Sequence, residues 1–415
     1  MSSERGGRGA TPGARLRARR RPARRLGVVG LFAGIGGIEK GLSEAGHHVQ
    51  QSWEIDPAAT AVLRQRFSEL PLEGDVRDLR SLPSETHLLT AGFPCQDLSQ
   101  AGRTEGFDGP ASGLWKQVFR ILKLERKPVP LVLFENVPFM LRLGRGRGFE
   151  RLITRLERMN YRWAYRVVDS MAFGVPQRRE RVYLVAAQDE DPKAILFADE
   201  SGSPKKELPT RDRAFGFYWT EGTRGLGAAV DAVPTLKAGS TIGIPSPPAI
   251  VLPKVGIVTP SIEDAERLQG FPAGWTKPAE QVARPSHRWR LVGNAVTVDV
   301  ARWLGRRFAA PGEYDPSSDE HLPRGAPWPG AAWGEGGKRF ESAVSPWPVR
   351  VARPPLAEFL RGGAPLSLRA TEGFHRRLER SSLNRPRWFD EAVKRHLERM
   401  RGREARGCEP KAARS

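Results

Sequence analysis

From Val28 to Gln188 the chain alternates short apolar runs with amphipathic stretches, and few architectures accept that pattern. The runs "VVGLFAG", "HHVQQSWEID", "HLLTAGFP" and "PLVLFENVP" have strand length and end in glycine, proline or a charged residue. Between them, "GIEKGLSEAG", "PAATAVLRQRF", "SGLWKQVFRILKLER" and "GFERLITRLERMN" have helical character. "YRWAYRVVDS" and "RRERVYLVAAQ" follow as later strands. Strands alternating with helices predict a doubly wound α/β sheet. Ligands of such sheets bind at the carboxyl ends of the strands. The polar residues just after each run are therefore the candidates for chemistry.

"LFAGIGG" (Leu31–Gly37) ends the first strand and opens a helix, and its glycines allow a tight turn and close approach to a ligand. The spacing is not that of a dinucleotide fingerprint, and no P-loop lysine follows. Glu54 closes the second strand, where a carboxylate can accept from both hydroxyls of a ribose. Asp75 in "GDVRDL" can serve an adenine amino group in the same way. A tight turn or a capping acid would explain any one of these. Their order after successive strands fits a nucleoside cofactor without a required pyrophosphate, such as S-adenosylmethionine.

Cys95 follows the third strand, between Pro94 and a polar pair. A lone cysteine is most often buried structure, but a loop position suits a thiolate nucleophile. Its only companion is Cys408, which rules out a disulfide framework or a multi-cysteine zinc site and points to a reducing compartment, the cytoplasm. Glu135 in "ENV" ends the fourth strand; flanked by Phe134 and Val137, it reads as a buried carboxyl with a raised pKa, able to hold a proton. In "QRRERVYLV", strand alternation puts Gln177, Arg179 and Arg181 on one face, with Arg178 and Glu180 on the other. Two guanidiniums beside a thiol and a carboxyl can hold a polar base ring or a phosphate.

With these residues in view, the chain resembles the DNA (cytosine-5) methyltransferases. "LFAGIGG", "WEID", "GDVRDL", "GFPCQDLSQAG", "ENV", "QRRERVYLV", "RLQGFP" and "VGNAV" look like the family's motifs, in its order, over about residues 28–310. Leu98 departs from the aromatic residue usual there. The resemblance implies a Rossmann-like S-adenosylmethionine-dependent fold with a mixed sheet, a small target-recognition domain and a C-terminal extension. It implies Cys95 as nucleophile, Glu135 at N3 of cytosine, and Arg179 and Arg181 bracing the ring carbonyl and its polar network. Phe32, Gly34, Gly36, Glu54, Ile55, Asp75, Pro94, Asn294 and Val296 would line the S-adenosylmethionine site. Gln96, Ser99, Gln177, Thr235 and Leu236 would meet the substrate. A stacked base cannot show its face to a thiol, so the cytosine must be flipped out. The glycine-rich stretch behind Cys95 suits a closing loop, and the chemistry requires no metal.

A net charge of +20 suits a polyanionic partner, although abundant Ala, Gly, Pro and Arg also fit the composition of a high-GC genome. Double-stranded DNA is the implied substrate, with a cognate restriction endonuclease as an implied partner. A monomer in the cytoplasm, associated with the nucleoid, is expected. Alternatives are a tRNA cytosine-5 methyltransferase and a DNA-binding homologue that has lost catalysis. Amino-group methyltransferases need no thiol and carry an Asn/Asp-Pro-Pro-aromatic signature where this chain has "FPCQ".

The expected organisation is a basic disordered tail over 1–26, a catalytic domain over 27–187 and 280–310, and a target-recognition region over 188–279. Residues 311–415 read as a linker followed by an extension of unknown role, with Trp328, Trp333, Trp347 and Trp388 suggesting a folded module. Ser261 and Asp264 are spaced for a capping box. "RDRAFGFYW" fits base contacts or the core of a small domain equally well.

Overall fold

A computed structural model describes residues 24–93, 112–238 and 246–407. Cys95, Pro94, Gln96, Ser99, Cys408 and most of the basic tail lie outside the described residues. The expected first four strands form as β1 (Gly27–Leu31), β2 (His48–Trp53) with the short β3 (Leu72–Glu73), β4 (Thr86–Ala91) and β5 (Leu131–Asn136). They run parallel. β6 (Arg162–Asp169), the two-residue β7 (Gln177–Arg178) and β8 (Glu180–Ala187) come next, with β8 antiparallel between β5 and β6. The core explains why these strands read as continuous apolar runs. Val28, Leu88, Leu131, Leu133 and Val185 pack on one face of the sheet. Val29, Leu89, Val132, Phe134 and Leu184 pack on the other.

β1 lies between β4 and β2, so the chain reverses its winding direction there and leaves a crevice at the carboxyl ends. The helix Val298–Ala309 returns to the sheet and packs against the helix Gly37–Glu44. A Cβ added at Gly41 would lie 2.5 Å from that of Ala301, and one at Gly305 the same distance from that of Ala45. The two helices therefore touch backbone to backbone, and the "VGNAV" segment just before the returning helix reaches the crevice.

A second sheet is built from β9 (Phe215–Phe217), β10 (Ala229–Val230), β12 (Ala249–Leu252) and β13 (Gly256–Thr259). The short β11 (Val233–Pro234) instead pairs in parallel with β7, tying this unit to the large sheet. Ser261 and Asp264 form the expected capping box at the helix Ile262–Leu268. Residues 192–200 depart from the expected boundary at 188. Ile195, Leu196 and Phe197 pack in the large sheet's core, and buried Arg166 donates to the carbonyls of Leu196 (2.9 Å) and Asp199 (2.7 Å).

The segment after 310 also departs from its expectation as a linker and separate extension. β14 (Glu320–His321), β15 (Ala331–Glu335) and β16 (Lys338–Glu341) extend the large sheet beyond β6, giving the order β14-β16-β15-β6-β8-β5-β4-β1-β2-β3. Further on, β17 (Ala364–Pro365) joins β13, and the helices Leu368–Glu379 and Arg387–Gly407 cover one face of the second sheet. The four tryptophans divide accordingly. Trp328 packs on Phe149 and Trp163, and Trp333 stacks on Phe340, both beside the large sheet. Trp347 also packs there, while Trp388 meets Phe215 of the second sheet.

Candidate active site

A cavity of about 530 Å³ opens at the carboxyl ends of β1, β2, β4 and β5. Phe32 and Gly34, both at φ 58°, bend the chain out of β1. Nothing lies within 4 Å of where a Gly34 Cβ would sit, so that face of the backbone is open to a ligand. The Gly34 N–H donates to one oxygen of Glu54 at 2.7 Å, and the Asp56 N–H donates to the other at 2.7 Å. Burial pushes the Glu54 carboxyl up, and these backbone donors oppose it. Each oxygen keeps a further acceptor site, and Ile55, 65% exposed, also lines the cavity.

Asp75 also lines the cavity, but it is already engaged. It caps the short turn Val76–Asp78 by accepting from the Arg77 N–H at 2.9 Å, and it pairs with the Arg77 guanidinium, which holds its carboxyl below the ordinary range. Asn294 also lines the cavity and is exposed. Gly36 and Val296 do not line the cavity. Gly36 starts the first helix at φ 83° against the Phe67 ring, and Val296 packs in the core beside that helix.

Glu135 reaches the cavity from the end of β5, buried, with its Oε1 3.2 Å from Arg181 Nε. Burial raises its pKa, opposed first by Arg181 and then by Arg179. Asn136, inside "ENV", carries a role that its sequence alone does not mark. It lines the same wall and donates to the Phe93 carbonyl at 3.2 Å. It thereby fixes the last described residue before Pro94 and Cys95.

Gln177, Arg178, Arg179, Glu180 and Arg181 alternate as expected, but the buried members do different work. Arg179 is 1% exposed and lies outside the cavity lining. It donates to the carbonyls of Ala295 (2.7 Å), Gly293 (3.2 Å) and Leu236 (3.4 Å). These bonds brace β11's continuation against the Asn294 segment, and the Arg179 charge also acts on Glu135. Gln177 is fully buried, donating to the Leu268 carbonyl at 2.8 Å and accepting from the Leu236 N–H at 2.9 Å. It holds Leu236 in place. Thr235 donates to the Arg178 carbonyl at 2.9 Å and Leu236 is buried, so both fix the strand's path. Gln269, also not singled out, donates to the Val292 carbonyl at 2.9 Å and accepts from Thr297 at 2.9 Å; its signal was its place in "RLQGFP".

No group of three or more His, Cys, Asp or Glu side chains able to hold a metal occurs among the described residues, and no helix among them is long and apolar enough to cross a membrane.

Residues 26–232 match the model of the C-5 cytosine-specific DNA methylase family. The chain is 46% identical over 359 residues to the Type II methyltransferase M2.BsuMI of Bacillus subtilis, covering 84% of this chain and 92% of that protein. It is 30% identical over 316 residues to the Type II methyltransferase M.DsaV of Dactylococcopsis salina, covering 69% and 86%. The solved structure of the Entamoeba histolytica methyltransferase EhMeth superposes with a TM-score of 0.52 at 14% identity, covering 69% of this chain and 98% of that one, a likeness of fold.

Proposed function

This chain belongs to the C-5 cytosine-specific DNA methylase family, and from that premise we propose that the cavity holds S-adenosylmethionine beside a flipped-out cytosine of duplex DNA, which Cys95 attacks. The chain is a DNA cytosine-5 methyltransferase, with relatives named Type II methyltransferases. The observation that carries the site assignment is the buried Glu135–Arg181 pair in a cavity that Glu54 also lines.

The cavity's residues fit the cofactor. Glu54 offers acceptors for two ribose hydroxyls, open backbone at Gly34 admits a close ligand, and Asn294 adds an amide to the cavity lining. When bound, S-adenosylmethionine supplies a methyl group on a positively charged sulfur.

Carbon 5 of cytosine is a poor nucleophile. The Cys95 thiolate forms a bond to carbon 6, and the ring's electron pair moves to carbon 5, making it the nucleophile that a sulfonium methyl needs. Glu135, holding its proton to higher pH than an exposed carboxyl, donates it or a hydrogen bond to N3 as charge develops there. Arg181 orients the Glu135 carboxyl. Loss of the carbon 5 proton to a base and expulsion of the Cys95 sulfur then restore the ring double bond and free the thiolate.

Duplex DNA rather than tRNA, a cytoplasmic, nucleoid-associated monomer, and a cognate endonuclease as partner go with this reading. Bisulfite sequencing of DNA from cells expressing the chain tests it. Methylation confined to one short sequence, and abolished by Cys95→Ser, is the expected result. Methyl groups found only in tRNA, or undiminished transfer by Cys95→Ser, would overturn it.

A further inference from the structure

β9 and β10 are joined by a hairpin, "YWTEGTRGLGA" (Tyr218–Ala228), that the chemistry above leaves without a task. Its backbone is held from several sides. The Tyr218 N–H donates to the Leu226 carbonyl at 2.9 Å, and the Gly222 N–H donates to the Gly225 carbonyl at 3.0 Å, closing a tight turn with Thr223 and Arg224 at its centre. Arg377, from the helix Leu368–Glu379, donates to the carbonyls of Trp219 at 2.7 Å and Glu221 at 2.8 Å. The Tyr218 hydroxyl donates to the Thr235 carbonyl at 2.7 Å. Glu221 is neutralised by Lys237, whose ammonium sits 3.6 Å from the centre of the Tyr218 ring.

The tip contrasts with this base. Thr223 and Arg224 are exposed, and Arg224 has no ion pair or hydrogen bond among the described residues. A rigid backbone presenting one free guanidinium is suited to bind something outside the chain.

The hairpin is also linked to Glu135 through a short run of contacts. Thr235, which it grips, is bonded to the Arg178 carbonyl, and the Arg178 guanidinium reaches the Gly227 carbonyl at 3.4 Å. Three residues further along the chain, at the start of β8, Arg181 contacts Glu135. A duplex that offers a cytosine to Glu135 therefore has the hairpin as a near neighbour.

We propose that this hairpin enters the DNA groove beside the flipped cytosine and that Arg224 reads a guanine there. A guanidinium matches the O6 and N7 acceptors of guanine with two parallel N–H donations, the commonest base-specific contact in the major groove. Arg377 is a positioning residue that acts through the hairpin backbone. The proposal rests on the methyltransferase reading above.

The test is methylation of a randomised duplex library, read by bisulfite sequencing, with the unaltered chain, Arg224→Ala and Arg377→Gln. Thermal melting and S-adenosylmethionine affinity serve as folding controls. The unaltered chain should select guanine at a position near the target cytosine. Arg224→Ala should lose about 10- to 100-fold of that selection while the other positions keep theirs. Arg377→Gln should relax the same position by a smaller factor. An unchanged recognition sequence would overturn the proposal. So would a uniform loss of activity with a shallower salt dependence, the signature of a phosphate contact. No methylation by the unaltered chain would instead overturn the underlying function, and this assignment with it.

Discussion

Glu135 Oε1 and Arg181 Nε lie 3.2 Å apart with both side chains about nine-tenths buried, yet the carboxyl pKa is raised. Burial outweighs the guanidinium. If protonated Glu135 serves N3 beside a Cys95 thiolate, the single-turnover rate rises with thiolate formation and falls as pH rises through the Glu135 pKa. Arg181→Met removes the group that lowers this pKa, so the falling limb should move to higher pH while the rate drops. A limb that stays fixed or moves down would exclude the pairing as the source of the pH dependence. Glu135→Gln, which has no proton to give, should slow the reaction by about 100-fold or more.

Glu54 receives the N–H groups of Gly34 and Asp56 on its two oxygens, each at 2.7 Å. Glu54→Gln turns one acceptor into a donor facing a backbone N–H, disturbing the turn after β1 and removing an acceptor for the ribose. S-adenosylmethionine affinity, measured by calorimetry, should fall by about 10- to 100-fold. The rate at saturating cofactor should change by only a few-fold. Unchanged affinity would show that the nucleoside sits elsewhere.

How far the sequence discloses this molecule depends on the range of the interactions. β1 and β5 are legible because both faces of each are buried, leaving short apolar runs, while the half-exposed β2 is marked instead by its place between two helical stretches. The alternation at Gln177–Arg181 is legible, but the separate tasks of Arg179 and Arg181 are not, because Arg179's partners at 236, 293 and 295 are set by tertiary packing. The β14–β16 part of the large sheet is hidden by proline- and glycine-rich composition and by a pairing of β15 with the distant β6. Its one local signal is Gly336-Gly337 between two strand-like runs. Both residues have positive φ, 58° and 79°, as a two-residue hairpin turn requires.

Glu39 lies on the first helix against β1 and β2, fully buried, with one carboxyl oxygen lacking a hydrogen-bond partner among the described residues. Burial raises its pKa from 4.5 to about 7. Between those values the folded chain binds the proton and the unfolded chain releases it, so stability declines as pH rises through that window and levels off above it. Glu39→Gln keeps the shape and cannot ionise. Above pH 7 it should exceed the unaltered chain by on the order of 3 kcal/mol, and the advantage should vanish near pH 4.5. Denaturant unfolding across this range decides it; parallel curves would mean that Glu39 is ionised at no such cost.

The C-terminal helices belong to the second sheet's core, and that has a measurable consequence. Phe389 is fully buried, with its ring centroid 5.3 Å from Phe215 and 5.0 Å from Phe217. Phe389→Ala should therefore destabilise that unit by about 3–5 kcal/mol. Deleting residues 361–415 goes further, removing β17 and uncovering Phe215, Phe217 and Val251. Limited proteolysis should then cut between 213 and 260 while S-adenosylmethionine still binds, since no residue after 295 lines the cavity. A truncated chain as resistant as the full one would mean that the helices merely rest on a sheet stable without them.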